Sequence, residues 1–192
     1  MLDTLTRRAR PAPAGGMSMK HILATSGILA ALLTSACSGD SEHVAKLRAA
    51  LAEAELSLSD SVAVAELETS QGIGLKAALL VDAVPVFSVG ALASDAFHQV
   101  AVDPVSGKVL SAQTAAQDAE LCSDAVSLSE AIAAAEAEVG GEAVAIEPDD
   151  DGYCNREVKV LTSDALWEVK VGPAGNLVEP PEEADDEEGE DD

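Results

Sequence analysis

The chain has 192 residues, 47% of them hydrophobic but only 2% aromatic, which is enough apolar matter for one modest domain or two very small ones with aliphatic cores. Its formal net charge of -24 repels nucleic-acid phosphates and anionic lipid surfaces, and nucleic-acid binding is excluded on that ground.

The first forty residues carry an export signal. Arg7, Arg8, Arg10 and Lys20 precede an uncharged apolar stretch from Ile22 to Leu33, too short to span a bilayer. Met17 and Met19 are alternative starts, since Met-Ser-Met-Lys and the apolar run form a compact signal by themselves. The stretch ends in Leu33-Thr34-Ser35-Ala36-Cys37, which resembles a lipobox, the motif whose cysteine takes a diacylglyceryl group before cleavage on its N-terminal side. The resemblance implies lipidation at Cys37 and a signal peptide over 1–36. The alternative is an ordinary secretory signal with a coincidental cysteine. Ser38, not Asp, follows the cysteine, and the sorting habit of such lipoproteins then implies the outer membrane, facing the periplasm. Cleavage would leave 7 basic against 34 acidic residues, a net charge of -27.

Residues 37–56 read as a lipid-anchored spacer with a short helix. Ser41 to Glu55 places Val44, Leu47, Leu51 and Ala54 on one stripe, able to pad a sheet or to hold the rest away from a membrane.

From Ser57 onward the chain is organised by an internal repeat. Ser57-Leu58-Ser59-Asp60 with its Ala-rich continuation to Glu66 is matched by Ser127-Leu128-Ser129-Glu130 and a similar run to Glu136, an offset of 70 (127 minus 57). Ser94-Asp95-Ala96-Phe97-His98 to Val102 is matched by Ser163-Asp164-Ala165-Leu166-Trp167 to Val171, an offset of 69 (163 minus 94). Two matches in register argue for duplication. Ser57 with Asp60, and Ser127 with Glu130, have capping-box spacing, so each copy opens with a helix, stopped at Gln71-Gly72 and at Gly140-Gly141. In copy one, strands are expected at Leu75–Val81, Val86–Leu92, Phe97–Val102 and Lys108–Leu110. In copy two, Val158 and Val160 alternate with Lys159, and Trp167, Val169 and Val171 alternate with Glu168 and Lys170, the period of a sheet with one wet face. Asp150-Asp151-Gly152 supplies a turn.

The closing element Val100-Ala101-Val102-Asp103-Pro104-Val105-Ser106-Gly107-Lys108-Val109 resembles that of the PepSY domain family, apolar-x-Val-Asp-x-x-x-Gly-x-Val after a capped helix and an antiparallel meander. Copy two departs from it, with Gly172 at the Asp position and the turn shortened to Pro173-Ala174-Gly175. The resemblance implies an α+β protein of two tandem small modules, 57–113 and 120–178, each one helix packed on a three- to four-stranded antiparallel sheet. It also implies binding, and restraint, of a peptidase or another envelope protein, because PepSY modules occur in propeptides of thermolysin-type proteases. The natural docking surfaces are an exposed sheet edge or a sheet face. The tail 179–192 is a run of acidic residues rooted at Pro180-Pro181, expected to stay disordered because it has nothing apolar to bury.

With Cys37 consumed by lipid, Cys122 and Cys154 remain, and in an oxidising envelope they read as a structural disulfide, worth about 3 to 4 kcal/mol in the chain-entropy picture. Free buried thiols are the plainer alternative. No zinc site is expected, since no two mature histidines have suitable spacing: His98 shares the frame of Val100 and Val102, a core-edge position, and His43 lies in the spacer helix. Glu147, Asp149, Asp150 and Asp151 lack the spacing of a calcium loop and read as a solvated turn, while the tail carboxylates could collect divalent cations weakly. No nucleophile elbow, activated serine or cofactor motif occurs, and the expectation is a non-enzymatic lipoprotein without cofactor. The competing reading is a structural or cation-buffering lipoprotein that acts through its acidic tail.

Overall fold

The computed structural model describes residues 42–94, 96–116, 122, 125–150 and 154–184. The signal segment and Cys37 lie outside them. Helix α1 (Glu42–Glu53) is followed by α2 (Leu58–Glu68) and a meander of β1 (Ile73–Leu80), β2 (Val86–Ala93), β3 (Ala96–Val102) and β4 (Val109–Ala115). Then come α3 (Leu128–Val139), β5 (Glu142–Pro148), β6 (Arg156–Leu161), β7 (Leu166–Val171) and a two-residue β8 (Glu182–Glu183). The fold is α+β. Among the described residues, no helix is long and apolar enough to cross a membrane.

The strands do not form two separate small sheets. They make one antiparallel sheet in the order β4-β3-β2-β1-β5-β6-β7-β8, joined where Ala77 and Ala78 of β1 face Ile146 and Ala145 of β5. Alternation then assigns the faces. Ala77, Leu79, Phe87, Val89, Val100, Val102, Ile146, Val158, Val160, Val169 and Val171 point to one side and are buried. They share a single core with Leu58, Val62 and Ala65 of α2, Leu128, Ile132 and Ala135 of α3, and Val44, Leu47 and Ala50 of α1. So α1 is part of the core and not merely a spacer; Arg48 of this helix also donates to the Ser163 carbonyl in the β6–β7 turn.

The two capping boxes form as the sequence predicts. Asp60 N–H donates to Ser57 Oγ at 3.1 Å while Ser57 N–H donates to the Asp60 carboxylate, and Ser127 with Glu130 repeats the arrangement. Gly140 caps α3 in the left-handed conformation at φ 76°. For α2 the expected glycine stop is corrected: the helix ends at Glu68 with Thr69 as its cap, and the left-handed residues are Ser70 and Gln71.

A feature not anticipated from the sequence recurs in both halves. Register shifts between Gly74 and Lys76 and between Ala143 and Ala145 mark β-bulges, with Leu75 and Val144 as the extra residues. In each, a glutamate from the preceding helix takes an amide of the bulged strand: Glu66 Oε1 accepts from Gly74 N–H at 3.0 Å, and Glu136 Oε1 from Ala143 N–H at 2.9 Å. Each carboxylate thereby fastens a helix end to its sheet. The closing turns are also held alike, since Pro104 carbonyl accepts from Leu56 N–H and Pro173 carbonyl from Val126 N–H, both at 3.0 Å.

One buried position differs in charge between the two halves. Phe87, opposite Val102, has Arg156, opposite Val171, as its counterpart. Arg156 lies opposite Pro148 of β5, which has no N–H to give. Arg156 Nη1 donates to the Leu75 carbonyl at 3.0 Å, so a side chain of the second half satisfies a backbone acceptor of the first. Burial pushes the guanidinium's pKa down from its ordinary value.

The tail expectation fails for its first residues. Glu182 and Glu183 pair with Glu168 and Trp167 as β8, and Ala184 N–H donates to Leu166 carbonyl at 2.9 Å. Backbone hydrogen bonding along a free strand edge suffices where side-chain burial is scant. The folded unit thus runs past 178 to 184, and β4 runs past the expected boundary at 113. Residues 185–192 lie outside the described residues.

Removing either bulge carboxylate strands a buried amide. Glu66→Ala and Glu136→Ala should each lower the unfolding free energy by about 1 to 3 kcal/mol in denaturant titrations, whereas Glu66→Gln, which keeps an acceptor oxygen, should lose clearly less.

Candidate docking surface

Among the described residues, the other face of the sheet carries no helix. Its side chains are those out of phase with the core, and the two halves fill them differently. In the second half the face is charged. Glu157 lies opposite Lys170, Lys159 opposite Glu168, and Glu168 opposite Glu182. Lys159 stands 3.6 Å from Glu157, and Lys170 bridges Glu179 at 2.9 Å and Asp149 at 4.0 Å. Glu168 is held above the usual carboxylate range, first by partial burial and then by the neighbouring Glu157 charge. A carboxylate whose pKa is raised on folding opposes the folded state once ionised, and protonation at lower pH relieves that opposition.

In the first half the same face is uncharged from β2 outward. Ser88, Gly90, Gln99 and Ala101 occupy the positions that Glu157, Lys159, Glu168 and Lys170 hold 69 residues later (157 minus 88). Gln99 donates to Ser88 across the strands. Phe97 lies over Gly90 and is buried there although no helix covers it; a Cβ on Gly90 would come within 2.5 Å of the ring, so the ring lies flat only because this position has no side chain. A shallow trough of about 340 Å³ runs over the β1–β5 join, floored by Ala78 and Ala145 and walled by Lys76, Ser88, Glu147 and Lys159.

The residues singled out in the sequence are scattered over the fold. Cys122, ahead of α3, and Cys154, just before β6, are joined by a disulfide with Cα atoms 5.5 Å apart, tying the approach to α3 to the β5–β6 connection. His98 is half-buried in the core-side frame opposite Ala91, as Trp167 is opposite Val160. His43 is exposed on α1. Asp149 faces Lys170 and takes a bond from Asn155, and Asp150 is exposed; Asp151 lies outside the described residues. Among the described residues no three or more His, Cys, Asp or Glu side chains gather in a way that could hold a metal ion. The Asp of the closing element is structural: Asp103 Oδ1 accepts from Val105 and Ser106 N–H at 3.0 and 2.7 Å, which holds its carboxyl below the usual range. Gly172 lacks that side chain, and the shorter turn there closes with Gly175 N–H donating to the Gly172 carbonyl.

The charge asymmetry of the open face is what sequence reasoning missed. Its signal was present in the aligned repeats, but the face assignments of Ser88 and Gln99 needed the strand register.

Comparison with known proteins bears on the second half. No curated protein matches the chain. The crystal structure of a lipoprotein candidate from Clostridium difficile 630 aligns at 14% identity with a TM-score of 0.42, covering 67% of this chain and 95% of that one. The family model of the peptidase propeptide and YPEB domain, PepSY, matches residues 125–179, the stretch from just ahead of the α3 cap to the partner of Lys170.

Proposed function

We propose that the chain is an exported, lipid-anchored, non-enzymatic envelope protein built from two tandem PepSY-like modules, 57–113 and 120–178, that binds and restrains a peptidase or another envelope protein. Cys37 is the lipid attachment site, and the anchored chain faces the periplasm from the outer membrane. The observation that carries the binding reading is the open sheet face of the first half, from which the charges of the second half are missing. Bare sheet exposed to water is ordinarily studded with charges, as β6 and β7 are; an uncharged stretch over the three strands β2, β3 and β4 suits an apolar or backbone-rich partner. The PepSY match over 125–179 supports the partner class. The recurrence of capping boxes, bulge glutamates and proline-held turns supports the duplication.

In the competing reading the modules only display an acidic tail that buffers cations. The two separate cleanly because the tail can be cut at 185 without touching β8. We expect the double variant Ser88→Glu, Ala101→Lys to fold normally. It places in the first half the charge pair that Glu157 and Lys170 form in the second, and it leaves the net charge unchanged. Titrated against a purified secreted thermolysin-type peptidase of the same cell, the parent chain should inhibit or bind and the double variant should lose at least about tenfold in affinity, the scale of about 1.4 kcal/mol. Loss on deleting 185–192, with the double variant unaffected, would favour the tail instead. For the anchor, labelled palmitate should enter the parent chain in cells and not Cys37→Ser; equal labelling of both would remove the lipid claim.

A further inference from the structure

Among the described residues the sheet has two outer edges, and only one is guarded. At one end β8 is two residues long and both are glutamates, a short charged edge of the kind that blocks further strand addition. At the other end β4 runs for seven residues, Val-Leu-Ser-Ala-Gln-Thr-Ala, without a charge or a proline. Its one irregularity is a register shift at its start, where Val109 and Ser111 face Val102 and Ala101 and Leu110 is the extra residue. From Ser111 to Ala115 the strand pairs regularly with β3 on one side, and its side chains on the outer strand are largely exposed. In a chain of net charge -24 this is an unusual stretch to leave bare.

We propose that β4 pairs antiparallel with β4 of a second copy of this chain, about a two-fold axis at Ala112. That axis makes the contact self-complementary: Ala112 meets its own copy, Ser111 meets Gln113, and Leu110 meets Thr114. On the open face, charge placement does not oppose the meeting of two strongly acidic chains. On the open face the positions nearest the axis are Ser111, Gln113, Gln99 and Ala101, none charged. The first carboxylate on that face, Glu147, is on β5, four strands in. At about 4.8 Å per strand the two Glu147 side chains of a pair would stand about 40 Å apart, several times the ~8 Å screening length at physiological ionic strength. A basic peptide from another protein would use the same edge but with the opposite salt dependence, because acid repels acid and attracts base.

Sedimentation velocity on the chain from residue 38, disulfide intact and without detergent, tests this from micromolar to millimolar concentration. A reversible dimer that tightens as salt is raised is the expected result. Ala112 is exposed, so Ala112→Lys and Ala112→Glu should keep the circular dichroism of the parent yet each raise the dissociation constant at least about tenfold, since like charges directly opposite across strands repel. Mixing the two variants in equal amounts should restore a dimer. A chain that stays monomeric throughout, or a dimer that Ala112→Lys leaves intact, overturns the proposal.

Discussion

The antiparallel contact between β1 and β5 is the constraint on which the rest depends. A four-stranded meander with one helix buries little, and small modules of this kind are marginal by themselves. Joining the meanders edge to edge removes one open edge from each and lets α2 and α3 lie side by side over a common core, with α1 added from outside the repeat. The join is short, with Ala77 and Ala78 as its paired residues on β1. Arg156 reaching the Leu75 carbonyl adds a side-chain bond between the halves, from the position where the first half places Phe87.

The same join shapes the surface. The described helices share one face of the sheet, so among the described residues the other face is open, and selection acts on it as a single plane. In the second half alternating Lys and Glu side chains keep that plane wet and unattractive. In the first half serine, glycine, glutamine and alanine leave the backbone within reach, with Phe97 folded down over Gly90. The two halves thus present different exteriors over similar interiors.

Much of this was legible in the residues alone. The capping serines Ser57 and Ser127, the α+β class, the spacing of the repeat and the pairing of Cys122 with Cys154 come from local chemistry that sequence displays directly. Alternation also placed Val100, Val102, Val169 and Val171 on an inner face. What stayed hidden involves neighbours rather than faces. Period-two patterning says which side a residue takes but not which strand lies beside it, so the single eight-stranded sheet was not readable. The bulges were masked by apolar residues on both faces, Leu75 and Val144 among them. Glu66 and Glu136 aligned in the repeat, but their partners are backbone amides, which carry no sequence signature. The opening of the acidic tail as β8 was missed because main-chain pairing asks nothing of glutamate side chains.

If the halves share one core, they must come apart together. Native-state hydrogen exchange on the chain from residue 38 measures this directly. The amides of Val89 and Val100 in the first half and of Val158 and Val169 in the second should exchange through opening events of equal free energy, equal in turn to that of global unfolding. Protection that separates into two levels, one for each meander, would contradict a common core and return the protein to two independent modules on a string.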